Sequence, residues 1–133
     1  PLFGKANALL AAAMMSIPSA IGFEMGAGFA ACHMTGEEYA DQWNSDFTTK
    51  TNHCGGIQGG ITNGMPIEFR VAFHPIVTIP EGTQTITPEG TIEMIKTGGR
   101  HDHCHVPRTA VIVECMAAIT LLDLILSQQN ILE

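Results

Sequence analysis

The chain has 133 residues, of which 45% are hydrophobic and 14% charged, enough apolar material for one domain with a sizeable core and too much for an intrinsically disordered segment. Six Lys and Arg stand against 13 Asp and Glu, a formal charge of -7, which leaves little cationic surface for a nucleic-acid backbone or an anionic membrane and argues against both as partners. The four cysteines, Cys32, Cys54, Cys104 and Cys115, include no CxxC pair and point to a reducing, cytoplasmic setting rather than a disulfide scaffold.

In chain order, Pro1-Leu2-Phe3 opens without an initiator Met or a basic leader, as expected of a piece of a longer protein. Lys5 to Met15 is rich in Ala and Leu and predicts a helix stopped by Pro18, with so little polar surface that it needs cover on more than one face. Ala20 to Glu24 predicts a short strand broken by Gly26 and Gly28. From Phe29 to Thr51 the chain turns polar and predicts an exposed excursion, with a helical turn at Gly36 to Asp41 and Glu37, Glu38 and Asp41 on a solvated face. Tyr39 and Trp43 are aromatics that anchor a partner or fold back onto the domain.

Residues 51 to 64, Thr-Asn-His-Cys-Gly-Gly-Ile-Gln-Gly-Gly-Ile-Thr-Asn-Gly, hold five glycines, and Pro66 to His74 then alternates Ile67, Phe69, Val71 and Phe73 with polar neighbours, the period of a half-buried strand. Val77 to Ile79, Thr83 to Ile86 and Gly90 to Ile95 predict antiparallel hairpin pieces. Beyond Gly99-Arg100-His101-Asp102-His103-Cys104-His105, Pro107 opens a helix that the pattern carries to about Leu126. The length of Thr109 to Leu126 approaches that of a membrane span, but Glu114 and Asp123 within it are costly in hydrocarbon, so a buried helix of a soluble domain is the expectation. These two carboxylates, nine positions apart, fall on opposite sides of the helix and form no single solvent stripe. The order of elements predicts an α+β fold, a sandwich in which apolar helices pack between antiparallel sheets, and not an alternating α/β unit.

Two segments carry candidate chemistry. The Gly-rich block lacks the spacing of a P-loop or a dinucleotide turn, and is either a cradle whose backbone N–H groups approach an anion or a loop-to-strand junction that needs unusual backbone angles. In Arg100 to His105, the residues His101, His103 and Cys104 are zinc-ligand types without finger or HExxH spacing. The same run also fits an anion or cofactor site, with Arg100 as a fixed cation, His101 as a donor and Asp102 as an acid or base, or a plain solvated turn in which Arg100 and Asp102 pair.

Taken together, the block from residue 51 to 64, Gly99 to Asp102, Pro107-Arg108 with Val113 to Ala117, Ala13 to Pro18, and Gly22-Phe23-Glu24 closely resemble chorismate synthases, over the whole chain. The resemblance implies that residues 1–133 are the C-terminal portion of a longer enzyme built as a β-α-β sandwich, cytoplasmic in bacteria and homotetrameric. It implies a reduced-FMN-dependent anti-1,4-elimination of phosphate from 5-enolpyruvylshikimate 3-phosphate to give chorismate, a step of aromatic amino-acid biosynthesis. By the same resemblance Pro18, Ser19, Gly59, His74, Pro75, Ile76, Val77, Thr78 and Arg100 contact the flavin, and Asp102 with its neighbour His101 handles a proton there. His74 stands where the family usually has Lys, His103 where it usually has Pro, and Pro18-Ser19 where some members carry Asn-Ala. The family's Ser-His-Gly and Arg-rich substrate motifs do not occur in this sequence, so the chain alone is expected to be inactive. A non-catalytic binding or scaffold domain is the alternative from a different class, and a zinc site at His101, His103 and Cys104 a further one.

Overall fold

The computed structural model describes residues 1–129. Helix α1 spans Ala6–Met15, β1 Ala20–Met25, a 3₁₀ turn Gly28–His33, α2 Gly36–Tyr39, β2 Ile57–Gln58, β3 Ile61–Thr62, β4 Phe69–Phe73, β5 Thr83–Ile86, β6 Ile92–Ile95 and α3 Val106–Gln129. The Ala- and Leu-rich run drives α1, and Ser16 closes it by donating its hydroxyl to the Ala13 carbonyl at 2.6 Å. Spacing by four puts Ala6, Leu10 and Met14 on one buried stripe, and these with Ile17 and Ile57 are the buried core.

Strands β1 and β4 pair antiparallel, from Met25 opposite Phe69 to Ala20 opposite Phe73, with a bulge between Ala20 and Gly22. The alternation expected from residues 66 to 74 is real: Phe69, Val71 and Phe73 turn inward and Arg70 and Ala72 outward, and Phe23 stacks on Phe69 with ring centroids 5.5 Å apart. Two further hairpins, β2 with β3 and β5 with β6, complete the strands among the described residues. Helix α1 packs on β1 and on α3, whose inner residues Val113, Met116, Ala117, Leu121 and Leu124 meet the core. The arrangement is α+β, with small antiparallel sheets beside packed helices.

Several expectations need correction. Val77 to Ile79 forms no strand: Pro75 and Pro80 remove ladder donors on either side. Helix α3 runs past Leu126 to Gln129, since no Gly or Pro interrupts it. It is covered on one side only among the described residues, and leaves Val111, Ile112, Ile119, Leu122, Ile125 and Leu126 exposed instead of lying between two layers.

The excursion from 29 to 51 is also more structured than composition suggested. Thr35 and Glu38 form a capping box at α2, the Glu38 carboxylate taking the Thr35 N–H at 2.7 Å. Asp41 is not on a solvated face: its side chain is 1% exposed and turned inward. Tyr39 folds back to stack on His53, ring centroids 6.2 Å apart, while Trp43 stays half exposed and bridges to Thr49.

Candidate functional site

The Gly-rich block is shaped from behind by Asp41. Its Oδ1 accepts the Thr51 hydroxyl at 2.7 Å and the His53 N–H at 2.8 Å, and its Oδ2 accepts the Cys54 N–H at 2.9 Å. Burial acts to raise the Asp41 pKa, but the hydrogen bonds from Cys54, Thr51 and His53 outweigh it and bring the group down to about 2. The Cys54 thiol moves the other way, pushed up first by burial and then by the Asp41 carboxylate. Nothing in the local sequence marked Asp41 for this role, because its donors come from ten or more residues downstream.

Gly55 and Gly56 hold left-handed backbone at φ 67 and 79, and a Cβ on Gly56 would strike the Pro66 carbonyl oxygen. The junction reading of these glycines is therefore correct. Gly59, at φ 61 in the β2 to β3 turn, has open space where a Cβ would stand.

The second candidate segment faces a cleft of about 440 Å³ between residues 76–80 and 99–103, lined by Ile76, Thr78, Arg100, His101 and Asp102 among others. His74 and Pro75 lead into it. The His74 N–H donates to the Ser19 carbonyl at 3.0 Å, and Ser19 itself sits in the left-handed region at φ 71. A non-glycine residue there costs about 1 kcal/mol and persists because the neighbouring bonds hold it. Since a carbonyl only accepts, the 2.7 Å contact from His74 Nδ1 to the Pro75 oxygen fixes the proton on Nδ1. The 3.3 Å contact from His101 Nε2 to the Gly98 oxygen likewise fixes a proton on Nε2.

Asp102 does not pair with Arg100. Its Oδ2 meets the Arg108 guanidinium at 2.7 Å, across the start of α3, and this leaves the exposed Arg100 turned to the cleft. Arg108, in the first turn of α3, is the partner of Asp102 that the sequence did not flag. Of the residues expected to contact a flavin, the cleft lining holds Ile76, Thr78 and Arg100, and Pro18, Ser19, His74 and Pro75 fall outside it. Val77 is exposed, and Gly59 lies on a separate turn outside the lining. No three His, Cys, Asp or Glu side chains gather within reach of one metal ion among the described residues, His101, His103 and Cys104 included.

The donor set suits a planar, anionic cofactor. The cleft falls within the roughly 300–1,000 Å³ usual for small-ligand sites and combines a fixed cation, a carboxylate and an imidazole with apolar Ile76.

The chorismate synthase family model matches residues 1–126. The chorismate synthase of Christiangramia forsetii is 48% identical over 130 residues, covering 98% of this chain and 37% of the relative. That of Synechococcus elongatus is 46% identical over 133 residues, covering 97% and 37%, and that of Neurospora crassa 43% identical over 153 residues, covering 97% and 35%. A solved structure described as chorismate synthase superposes with a TM-score of 0.70 at 34% identity, covering 93% of this chain and 31% of the other. The chain thus spans little more than a third of the length of the curated relatives it matches, and with that extent it belongs to the chorismate synthase family.

Proposed function

We propose that this chain is the C-terminal portion of a cytoplasmic, homotetrameric chorismate synthase and forms one wall of its site for reduced FMN and 5-enolpyruvylshikimate 3-phosphate. The observation that carries the reading is the cleft in which Arg100, His101 and Asp102 face residues 76–80. Bound reduced FMN would supply an electron transiently to the substrate so that phosphate leaves and chorismate forms.

The chain's own contributions follow from its geometry. Arg100, free of the Asp102 ion pair, offers a planar donor fork to an anionic group. Arg108 occupies Asp102 Oδ2, so Oδ1 is the oxygen available to accept or return a proton. The proton held on His101 Nε2 by Gly98 leaves Nδ1 as its acceptor atom, and Ile76 helps keep water from the ligand. Phosphate departure needs cationic groups beyond Arg100, which supports the expectation that the chain alone forms no chorismate.

Anaerobic titration with reduced FMN, followed by absorbance and fluorescence, tests the reading. Saturable binding lost in Arg100→Ala is the expected result; absence of binding, or binding unchanged in that variant, would support the scaffold alternative.

A further inference from the structure

The outward face of the β1–β4 pair carries a trough that the cofactor reading does not use. In the strand register Glu24 stands opposite Arg70 and Gly22 opposite Ala72, so these four positions share one face of the sheet. Gly22 and Ala72 give that face a flat floor, bare of long side chains: a Cβ built on Gly22 would sit only 3.3 Å from that of Ala72. Phe29, 79% exposed on the 3₁₀ turn that follows β1, lines the trough together with Arg70, and the space measures about 360 Å³. It shares no lining residue with the cleft at Arg100.

Glu24 organises this trough. Its Oε1 accepts from Arg70 Nε at 2.7 Å, and its Oε2 accepts the Phe29 N–H at 3.0 Å, so one carboxylate holds the residues that carry the guanidinium and the phenyl ring. Gly28 makes room for the clamp: it is left-handed at φ 53, and a Cβ there would overlap the Glu24 carboxylate. Arg70 is tethered through Nε alone, its side chain is 66% exposed, and its two Nη groups make no ion pair among the described residues. A guanidinium held in this way keeps a planar pair of terminal donors, the geometry that matches a carboxylate.

A flat apolar floor, an exposed phenyl ring and a guanidinium fork together suit a molecule that is planar and apolar at one end and carboxylate at the other. We propose that this trough binds a small aryl carboxylate, its ring on Gly22 and Ala72 beside Phe29 and its carboxylate on the Nη groups of Arg70. The inference stands on the geometry of the β1–β4 face and does not rest on the flavin reading.

The test titrates the full chain with phenylpropionate and follows proton–nitrogen correlation spectra, the Arg70 Nε–H signal included. Saturable shifts at Gly22, Ala72 and Arg70 Nε are expected, and acetate or phenylethanol, each carrying half of the chemistry, should need roughly tenfold more to produce them. Arg70→Ala should weaken binding roughly tenfold or more, Phe29→Ala roughly threefold, and Ala72→Leu, which raises a side chain from the floor, should abolish it. Phe29 and Ala72 are exposed, so circular dichroism of their variants stays unchanged. The inference fails if no saturable shift appears, if acetate matches phenylpropionate, or if Arg70→Ala and Phe29→Ala bind as the parent chain does. It also fails if the shifts centre on Ile76, Thr78 and Arg100, which places the ligand in the cleft. A last overturning result is self-association, seen by light scattering, that covers Gly22 and Ala72 and is released by Phe47→Gly: the 86% exposed Phe47, at φ 64, would then be the occupant, supplied by a second copy.

Discussion

The Gly-rich block and the segment from Gly99 through α3 stand at opposite ends of one scale. In the first, backbone donors are met from within, with only His53 Nδ1 buried without a partner: Asp41 gathers Thr51, His53 and Cys54, the Gly26 N–H meets the Glu68 carbonyl at 2.8 Å, and the Ala27 N–H meets the His53 carbonyl at 2.8 Å. In the second, Arg100 turns to a cleft and α3 turns a whole seam to solvent. The first region fixes backbone shape, and the second leaves its side chains open to solvent. Substitutions in the block should therefore cost stability, and those in the outward segment should cost binding.

The sharpest way to break this contrast is Asp41→Ala. Removing the carboxylate leaves a hydroxyl and two amides without their acceptor, at a cost of about 3 kcal/mol. Ile119→Ala, on the exposed seam, should stay within about 0.5 kcal/mol. Urea denaturation followed by circular dichroism measures both. Equal effects would mean that the outer seam already contributes to the fold of the isolated chain.

A smaller difference separates two glycines of the same block. Gly56→Ala forces a Cβ against the Pro66 carbonyl at a positive φ and should cost about 2 kcal/mol. Gly59→Ala meets open space, so only the left-handed backbone opposes it, for about 1 kcal/mol. If Gly59 contacts the flavin, its variant should lose reduced-FMN affinity while keeping most of its stability; Gly56→Ala should lose stability first.

How much of this was legible in the sequence depends on the range of the interaction. Short-range signals read well: the run ending at Met15, the alternation through Phe69, Val71 and Phe73, and the β-branched Thr83 to Ile86 all became the expected elements. The segment Arg100 to Asp102 stands out in the sequence because its residue types are adjacent, and it lines the cleft. Asp41 was misread because an acidic residue beside Glu37 and Glu38 looks solvated, and only folding brings amides from residues 53 and 54 to it. Arg100 was paired with Asp102 by proximity along the chain, whereas the helix start presents Arg108 to the same carboxylate. The open side of α3 has the same apolar composition as its packed side, so periodicity does not say which seam a given chain covers.

Acid should reproduce part of the Asp41 effect. The carboxyl titrates at about 2 in the folded chain and at about 3.9 when unfolded. Its stabilisation is thus present above about pH 4 and lost as pH falls toward 2. The loss should approach about 2 kcal/mol by pH 2, and Asp41→Asn should flatten that part of the profile. Melting temperature against pH for the two proteins measures it.

The smallest effect on stability is expected at Arg108. Its pair with Asp102 joins groups 71% and 36% exposed, and such pairs contribute less than about 1 kcal/mol. A cation in the first turn of α3 also opposes the helix dipole, while Asp102 just ahead of the helix complements it. Arg108→Ala therefore removes an attraction and a repulsion together, and the melting temperature should barely move. The consequence belongs to the cleft: with Oδ2 released, Asp102 is no longer oriented and becomes available to Arg100, whose guanidinium is then drawn from the ligand side. Reduced-FMN affinity should fall in Arg108→Ala, by less than in Arg100→Ala, with Arg108→Lys restoring part of it by supplying a single donor to Oδ2. An affinity unchanged in Arg108→Ala would mean that the carboxylate is held by the backbone of residues 99–103 alone, and the outward segment would then be as self-sufficient as the Gly-rich block.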